Sequence, residues 1–98
     1  MNFNYMKDFI KVVEYKSLNK ASRELNISTP ALSKRIRSIE DYFDCDLFYR
    51  TSKGIFLTQK GNSVYHSFLK INEQFEELKS KISRSEEHTS ELQSPGII

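Results

Sequence analysis

One cysteine, two prolines, three glycines and no tryptophan in 98 residues leave little for metal, redox or phosphate-loop chemistry. Cys45 alone excludes an intramolecular disulfide and a cysteine-based zinc site, and it is expected to pack as a small apolar residue behind a helix. Three glycines cannot build a glycine-rich phosphate loop. His66 and His88 stand apart, without neighbours at the spacing of a metal site or triad, so neither a catalytic residue nor a metal or cofactor is expected. Apolar runs of membrane-spanning length are missing, as is the basic-then-apolar start of a signal peptide. The expectation is a cytoplasmic chain with no membrane partner and no enzyme activity.

An excess of one charge is missing too, with 15 basic against 13 acidic residues and a net charge of +2. Setting aside Arg84 against Glu86, Glu87 and Glu91 leaves 14 against 10 in residues 1–83, net +4. Within 20–53 the cations Lys20, Arg23, Lys34, Arg35, Arg37, Arg50 and Lys53 outnumber the acids Glu24, Glu40, Asp41, Asp44 and Asp46. Cations gathered on one face suit a duplex-DNA partner, although net charge alone is weak evidence.

What the chain does have is a pair of short helical patterns separated by a tight turn, over residues 17–37. In the first, Asn19 is expected as N-cap, Ala21 allows close helix approach, and Leu25 and Ile27 close the unit. Ser28 is expected to cap the second, with Pro30 in its first turn where a missing N–H costs nothing. Leu32, Ile36, Ile39 and Phe43 recur at spacings of four, three and four, the stripe of a half-buried helix. Thr29, Ser33, Lys34 and Arg37 fall outside that stripe. Short polar groups there could meet base edges and the cations could meet phosphates. A solvated charged face is the plain alternative.

A helix before this pair, marked by Met6, Phe9, Ile10 and Val13, supplies a third wall. After Phe43 come two β-favouring runs, 47–50 and 55–58, around Thr51, Ser52, Lys53 and Gly54, the pattern of a hairpin. Fold class is therefore mainly α: a winged helix-turn-helix, with a three-helix core and a β-hairpin wing, followed by a long helix. Arg50 at the base of the wing and Lys53 at its tip are candidates for the phosphate backbone.

These elements resemble, in order, the N-terminal part of a LysR-type transcriptional regulator over residues 1 to 83. The resemblance is carried by Met6 to Phe9, Ser17 to Ser22, Pro30 to Ser33, Ile39–Glu40, Leu47–Phe48, Arg50–Thr51, Leu57–Thr58 and Gly61. It implies a bacterial sequence-specific DNA-binding protein that dimerises on promoter DNA, with Thr29, Pro30, Ser33 and Lys34 as groove or phosphate contacts and Arg50 and Lys53 in the wing. It also implies a large C-terminal effector-binding domain, to which nothing here corresponds, so no small-molecule effector is expected for this fragment. Two positions depart from the family pattern. Thr29 stands where the family usually has Gln, and a hydroxyl cannot make the bidentate contact to adenine that an amide can. Asp44 stands where the family tends to have Gly, and Asp tolerates the left-handed conformation better than most residues.

Thr58 is expected to cap a long helix in which Val64, Phe68, Ile71, Phe75, Leu78 and Ile82 alternate spacings of four and three. On a helix otherwise polar, with Lys70, Glu73, Glu76, Glu77 and Lys79, that narrow seam is expected to pair with the same helix of a second protomer. Packing along its own winged unit is the alternative. The expected division is 1–58 for the DNA-binding unit, 59–83 for the dimerisation helix and 84–98 for a tail. Residues 84–94 have no apolar period and resemble the in-frame translation of a short-read sequencing adapter, so 84–98 are expected to be non-native or a disordered tail. An interaction module that uses the winged fold to bind protein without DNA is the rival function.

Overall fold

In this computed structural model the described residues, 2–88 with side chains over 2–83, run as α1 (Phe3–Tyr15), α2 (Leu18–Leu25), α3 (Thr29–Phe43), β1 (Phe48–Thr51), β2 (Gly54–Leu57) and α4 (Gln59–His88). Helix α1 is capped by Asn2, whose Oδ1 accepts from the Asn4 N–H at 2.8 Å. It buries Met6, Phe9, Ile10 and Val12. Val13 is only half-buried at the edge of the core, so the apolar stripe is turned slightly from the expected one.

Lys16 ends α1 in the left-handed conformation, φ 53°. The next residue, Ser17, is extended and caps α2 through Oγ, which accepts from Lys20 N–H at 3.2 Å. The expected cap, Asn19, is instead inside the first turn of α2. The reason is that α1 stops abruptly and leaves the first free hydroxyl two residues earlier.

Ser28 caps α3 as expected, its Oγ accepting from Ala31 N–H at 3.1 Å, and Pro30 lies in the first turn. Leu32, Ile36 and Ile39 are buried, but Phe43 is 40% exposed. It is the last residue of α3 and overhangs the core, its ring edge-on to Tyr42 and 6.3 Å from Phe68. Asp44 closes the helix in the left-handed conformation, φ 56°.

The core lies where α1, α2 and α3 meet, centred on Phe9, which contacts the rings of Phe48 and Phe68 at 5.0 and 5.3 Å. Burying these side chains supplies most of the folding free energy of so small a unit. One ion pair crosses the edge of this core: Arg35 donates to the buried Asp8 carboxylate at 2.8 Å, with its guanidinium 5.4 Å from the Tyr5 ring centre. That hydrogen bond above all holds the Arg35 pKa higher than an ordinary arginine's.

The hairpin pairs Phe48 with Leu57, Tyr49 with Phe56, Arg50 with Ile55 and Thr51 with Gly54. Both strands are one residue displaced from the expected runs, because Leu47 drops into the core and Thr58 begins the next helix. Glu40 Oε2 fastens the wing to α3, accepting from Leu47 N–H at 2.8 Å and Phe48 N–H at 3.2 Å. Thr58 caps α4 as expected: its Oγ1 accepts from Gly61 N–H and donates to the Asp46 carbonyl at 2.7 Å.

Helix α4 divides the expected seam. Phe68 is buried in the protomer's own core, so it belongs to an internal surface rather than the expected dimer surface, and Val64 is half-buried against that core. Ile71, Phe75, Leu78 and Ile82 remain 37–52% exposed. The helix also runs to His88, past the expected end at residue 83, because polar residues without an apolar period can extend a helix that has already begun. The rest of the expected tail, residues 89–98, lies outside the described residues.

Candidate nucleic-acid interface

The buried stripe of α3 decides which of its residues can meet a partner. With Leu32, Ile36 and Ile39 turned inward, Pro30, Lys34 and Arg37 are exposed, and Thr29 and Ser33 are half-exposed. Arg35, the remaining cation of this helix, is committed to Asp8 and has no part in that face.

The wing stands beside the same face. Ser33 and Arg37 of α3 and Arg50 of β1 line one open cleft of about 360 Å³, floored by Ile36 and Ile55. Arg50 also lines a second cleft of about 270 Å³, with Lys16, Asn19 and Thr29 across from it. Thus Thr29, Ser33, Arg37 and Arg50 are brought together around one corner of the molecule. Lys34 and Lys53 are exposed but line neither cleft, Lys34 on the outer side of α3 and Lys53 in the two-residue turn, where its N–H donates to Thr51 Oγ1.

At the N-terminal end of α3 the hydroxyls are engaged with α2. Thr29 Oγ1 donates to Asn19 Oδ1 at 2.9 Å and lies 3.0 Å from Ser22 Oγ, which in turn donates to the Asn19 carbonyl at 2.9 Å. Each hydroxyl has a single proton. The proton of Thr29 therefore serves the helix pair, which the sequence alone did not reveal. Ser22 in a stretch of small residues and Asn19 one helical turn earlier were the available signals. Glu40 escaped sequence reasoning as well, since its partners are main-chain N–H groups that no side-chain pattern records.

The two clefts differ in charge. The larger includes Glu40 and Asp46 among its lining, whereas the smaller has Lys16 and Arg50 and no carboxylate. Among the described residues, no group of three or more His, Cys, Asp or Glu side chains is placed to hold a metal ion, and no helix is long and apolar enough to cross a membrane.

Residues 3–62 match the family profile described as bacterial regulatory helix-turn-helix protein, lysR family. The chain is 37% identical over 65 residues to the nitrogen assimilation regulatory protein nac of Klebsiella aerogenes, covering 66% of this chain and 21% of that protein. It is 31% identical over 78 residues to the RuBisCO operon transcriptional regulator of Allochromatium vinosum, covering 80% and 26%. The chain thus spans about a quarter of the length of these relatives. Among solved structures, the BenM DBD in its catB site 1 DNA complex superposes with a TM-score of 0.83 at 28% identity, over 87% of this chain and 94% of that one. The DNA complex of Vibrio fischeri DarR superposes with a TM-score of 0.82 at 29% identity, over 92% and 31%.

Proposed function

The chain belongs to the lysR family of bacterial regulatory helix-turn-helix proteins, and from that premise we propose that residues 1–58 read duplex DNA at promoters while residues 59–83 hold two copies together. Helix α3 enters the major groove with Ser33 toward base edges and with Lys34 and Arg37 on phosphates. Thr29 and Pro30 abut the duplex at the end of α3 that enters first. Arg50 and Lys53 of the wing take the adjoining backbone. The observation that carries this reading is the corner where Ser33, Arg37 and Arg50 line one cleft while Leu32 and Ile39 of α3 are turned into the core.

A second copy is proposed to cover Ile71, Phe75, Leu78 and Ile82, which presents two α3 helices to two half-sites. Regulation of transcription is the proposed role of the whole, and the bacterial cytoplasm, where its DNA lies, is the proposed location. No catalytic role is proposed for any residue. The rival reading, a protein-binding module without DNA, is not favoured, because the superposed BenM and DarR structures are DNA complexes.

Titration of labelled duplex, first a random pool and then sequences selected from it, tests the proposal. Lys34→Ala and Arg50→Ala are expected to weaken binding to all duplexes alike and to lower the salt slope by about one unit each. Ser33→Ala is expected to relax base preference. Unchanged affinity and slope in Lys34→Ala would refute the placement of α3.

A further inference from the structure

We propose that Asn19 is a further DNA-contacting residue, its amide NH2 donating to a phosphodiester oxygen seated between α2 and the wing, and that Thr29 is the positioning residue that aims it. The inference rests on the reading of this face as a DNA interface. It begins from the hydroxyl network: Thr29 Oγ1 donates to Asn19 Oδ1 at 2.9 Å, so the carbonyl end of the Asn19 amide is held against α3. An amide held by its oxygen presents its NH2 away from that contact. Asn19 is exposed, and none of the hydrogen bonds found among the described residues uses its Nδ2.

The cleft that Asn19 lines identifies the ligand's chemistry. Lys16 and Arg50 give it two cations, Asn19 and Thr51 give it polar side chains, and no carboxylate faces it. Cations without acids favour an anion, and an amide NH2 is a donor with no charge of its own. A backbone phosphate has the required charge and acceptor oxygens, and Arg50 is already proposed to lie along the duplex backbone. Base edges are not the assignment, because α2 in this architecture crosses the backbone while α3 occupies the groove. Thr29 then has a different task from the amide that usually occupies its position in the family. Its proton is spent on Asn19, so whatever its hydroxyl adds to affinity passes through that residue, and Thr29→Val removes the hydroxyl while keeping the side chain's shape against the duplex.

The test uses the full chain and measures duplex affinity against salt for Asn19→Ala, Asn19→Asp, Thr29→Val and the double variant Asn19→Ala/Thr29→Val. Asn19→Ala is expected to weaken every duplex about tenfold without reordering them. Its salt slope should match wild type, because a neutral donor releases no counterion, whereas Arg50→Ala lowers the slope. Asn19→Asp retains an oxygen for the Thr29 proton, so the α2–α3 contact survives, and it should bind more weakly still because a carboxylate faces the phosphate. Thr29→Val should weaken binding in the wild-type background and add nothing to Asn19→Ala. Wild-type affinity in Asn19→Asp, a changed duplex ranking in Asn19→Ala, or full additivity in the double variant would each overturn the assignment. If Lys34→Ala and Arg50→Ala also left affinity and slope unchanged, the failure would lie in the DNA-binding reading itself. If those two weakened binding and the Asn19 variants did not, it would lie here alone.

Discussion

Gly61 packs against Leu47 so closely that a Cβ built on it would stand 2.0 Å from the Leu47 carbonyl oxygen. That oxygen cannot retreat, because it accepts from Thr58 N–H at 3.0 Å and belongs to a residue wholly buried in the core. Gly61→Ala should therefore force α4 away from the wing. The expected loss is at least about 1–3 kcal/mol, read from urea unfolding. A stability equal to wild type would mean that α4 can shift at no cost.

Glu40 joins α3 to the start of the wing through two main-chain N–H groups. Glu40→Ala leaves both without their acceptor and should destabilise by about 1–3 kcal/mol. Glu40→Gln, which retains an oxygen, should recover part of that. Duplex affinity should follow the same order, since Arg50 is placed by the strand that Glu40 anchors. Equal unfolding midpoints for Ala and Gln would contradict this role.

The two ends of the α4 seam should behave differently on substitution. Phe68→Ala empties a site in the protomer's own core and should cost about 3–5 kcal/mol. Leu78→Asp alters an exposed position, so it should leave the fold intact while shifting sedimentation toward monomer. A monomeric Phe68→Ala protein of unchanged stability, or a dimeric Leu78→Asp, would reverse that division.

Asp44 holds the left-handed conformation at the C-terminal end of α3, where its charge also opposes the helix dipole. Asp44→Gly removes both penalties and adds back some freedom to the unfolded chain. The net expectation is a stabilisation of about 0.5–1 kcal/mol in denaturant unfolding, and a loss would show that Asp44 has a favourable partner.

Arg35 has a raised pKa in the folded state, through its hydrogen bond to Asp8 first and that residue's charge second, against the opposing effect of burial. A group whose folded pKa is raised contributes stability that is complete below its unfolded pKa and is lost only as pH climbs through the folded value. Both values lie in the strongly alkaline range. The stability difference between wild type and Arg35→Gln should therefore stay level from about pH 7 to about pH 9, where arginine remains charged. A difference that shrinks across that interval would exclude an arginine-based contribution.

Much of this architecture was legible because it is local. Ser28, Pro30 and Thr58 mark helix starts through short-range bonds, and the Leu32, Ile36, Ile39 stripe follows from helical period alone. What escaped depends on neighbours far along the chain. Asn19 offered a good cap, but the sharp stop of α1 at Lys16 gave that task to Ser17. Phe43 continues the period and yet overhangs the edge of the core, with only part of its ring covered. Val64 and Phe68 obey the same spacing as Leu78 and Ile82, and only the presence of α1 and the wing beneath the first pair separates them. The Asp8–Arg35 pair and the Thr29–Asn19 bond link helices that no single-helix pattern connects. At the candidate interface, Ser33 and Arg37 were legible as polar residues outside the apolar stripe and Arg50 as a cation of the wing, and their convergence on one cleft was not.

Helix α4 is 30 residues of uninterrupted α-helix, gripped near its start by Gly61, Val64 and Phe68. Mechanically it is a tiller. Ile82 lies roughly 30 Å along the axis from Gly61, so a displacement of about 3 Å at Ile82 turns the rest of the molecule by only about 5°. Gearing of this kind is forgiving at the handle and exact at the blade. A second copy that grips Leu78 and Ile82 in the proposed pairing, even loosely, would still set the attitude of α3 closely, and a substitution that softens the grip at Gly61 would lose that precision even where the far contact is perfect.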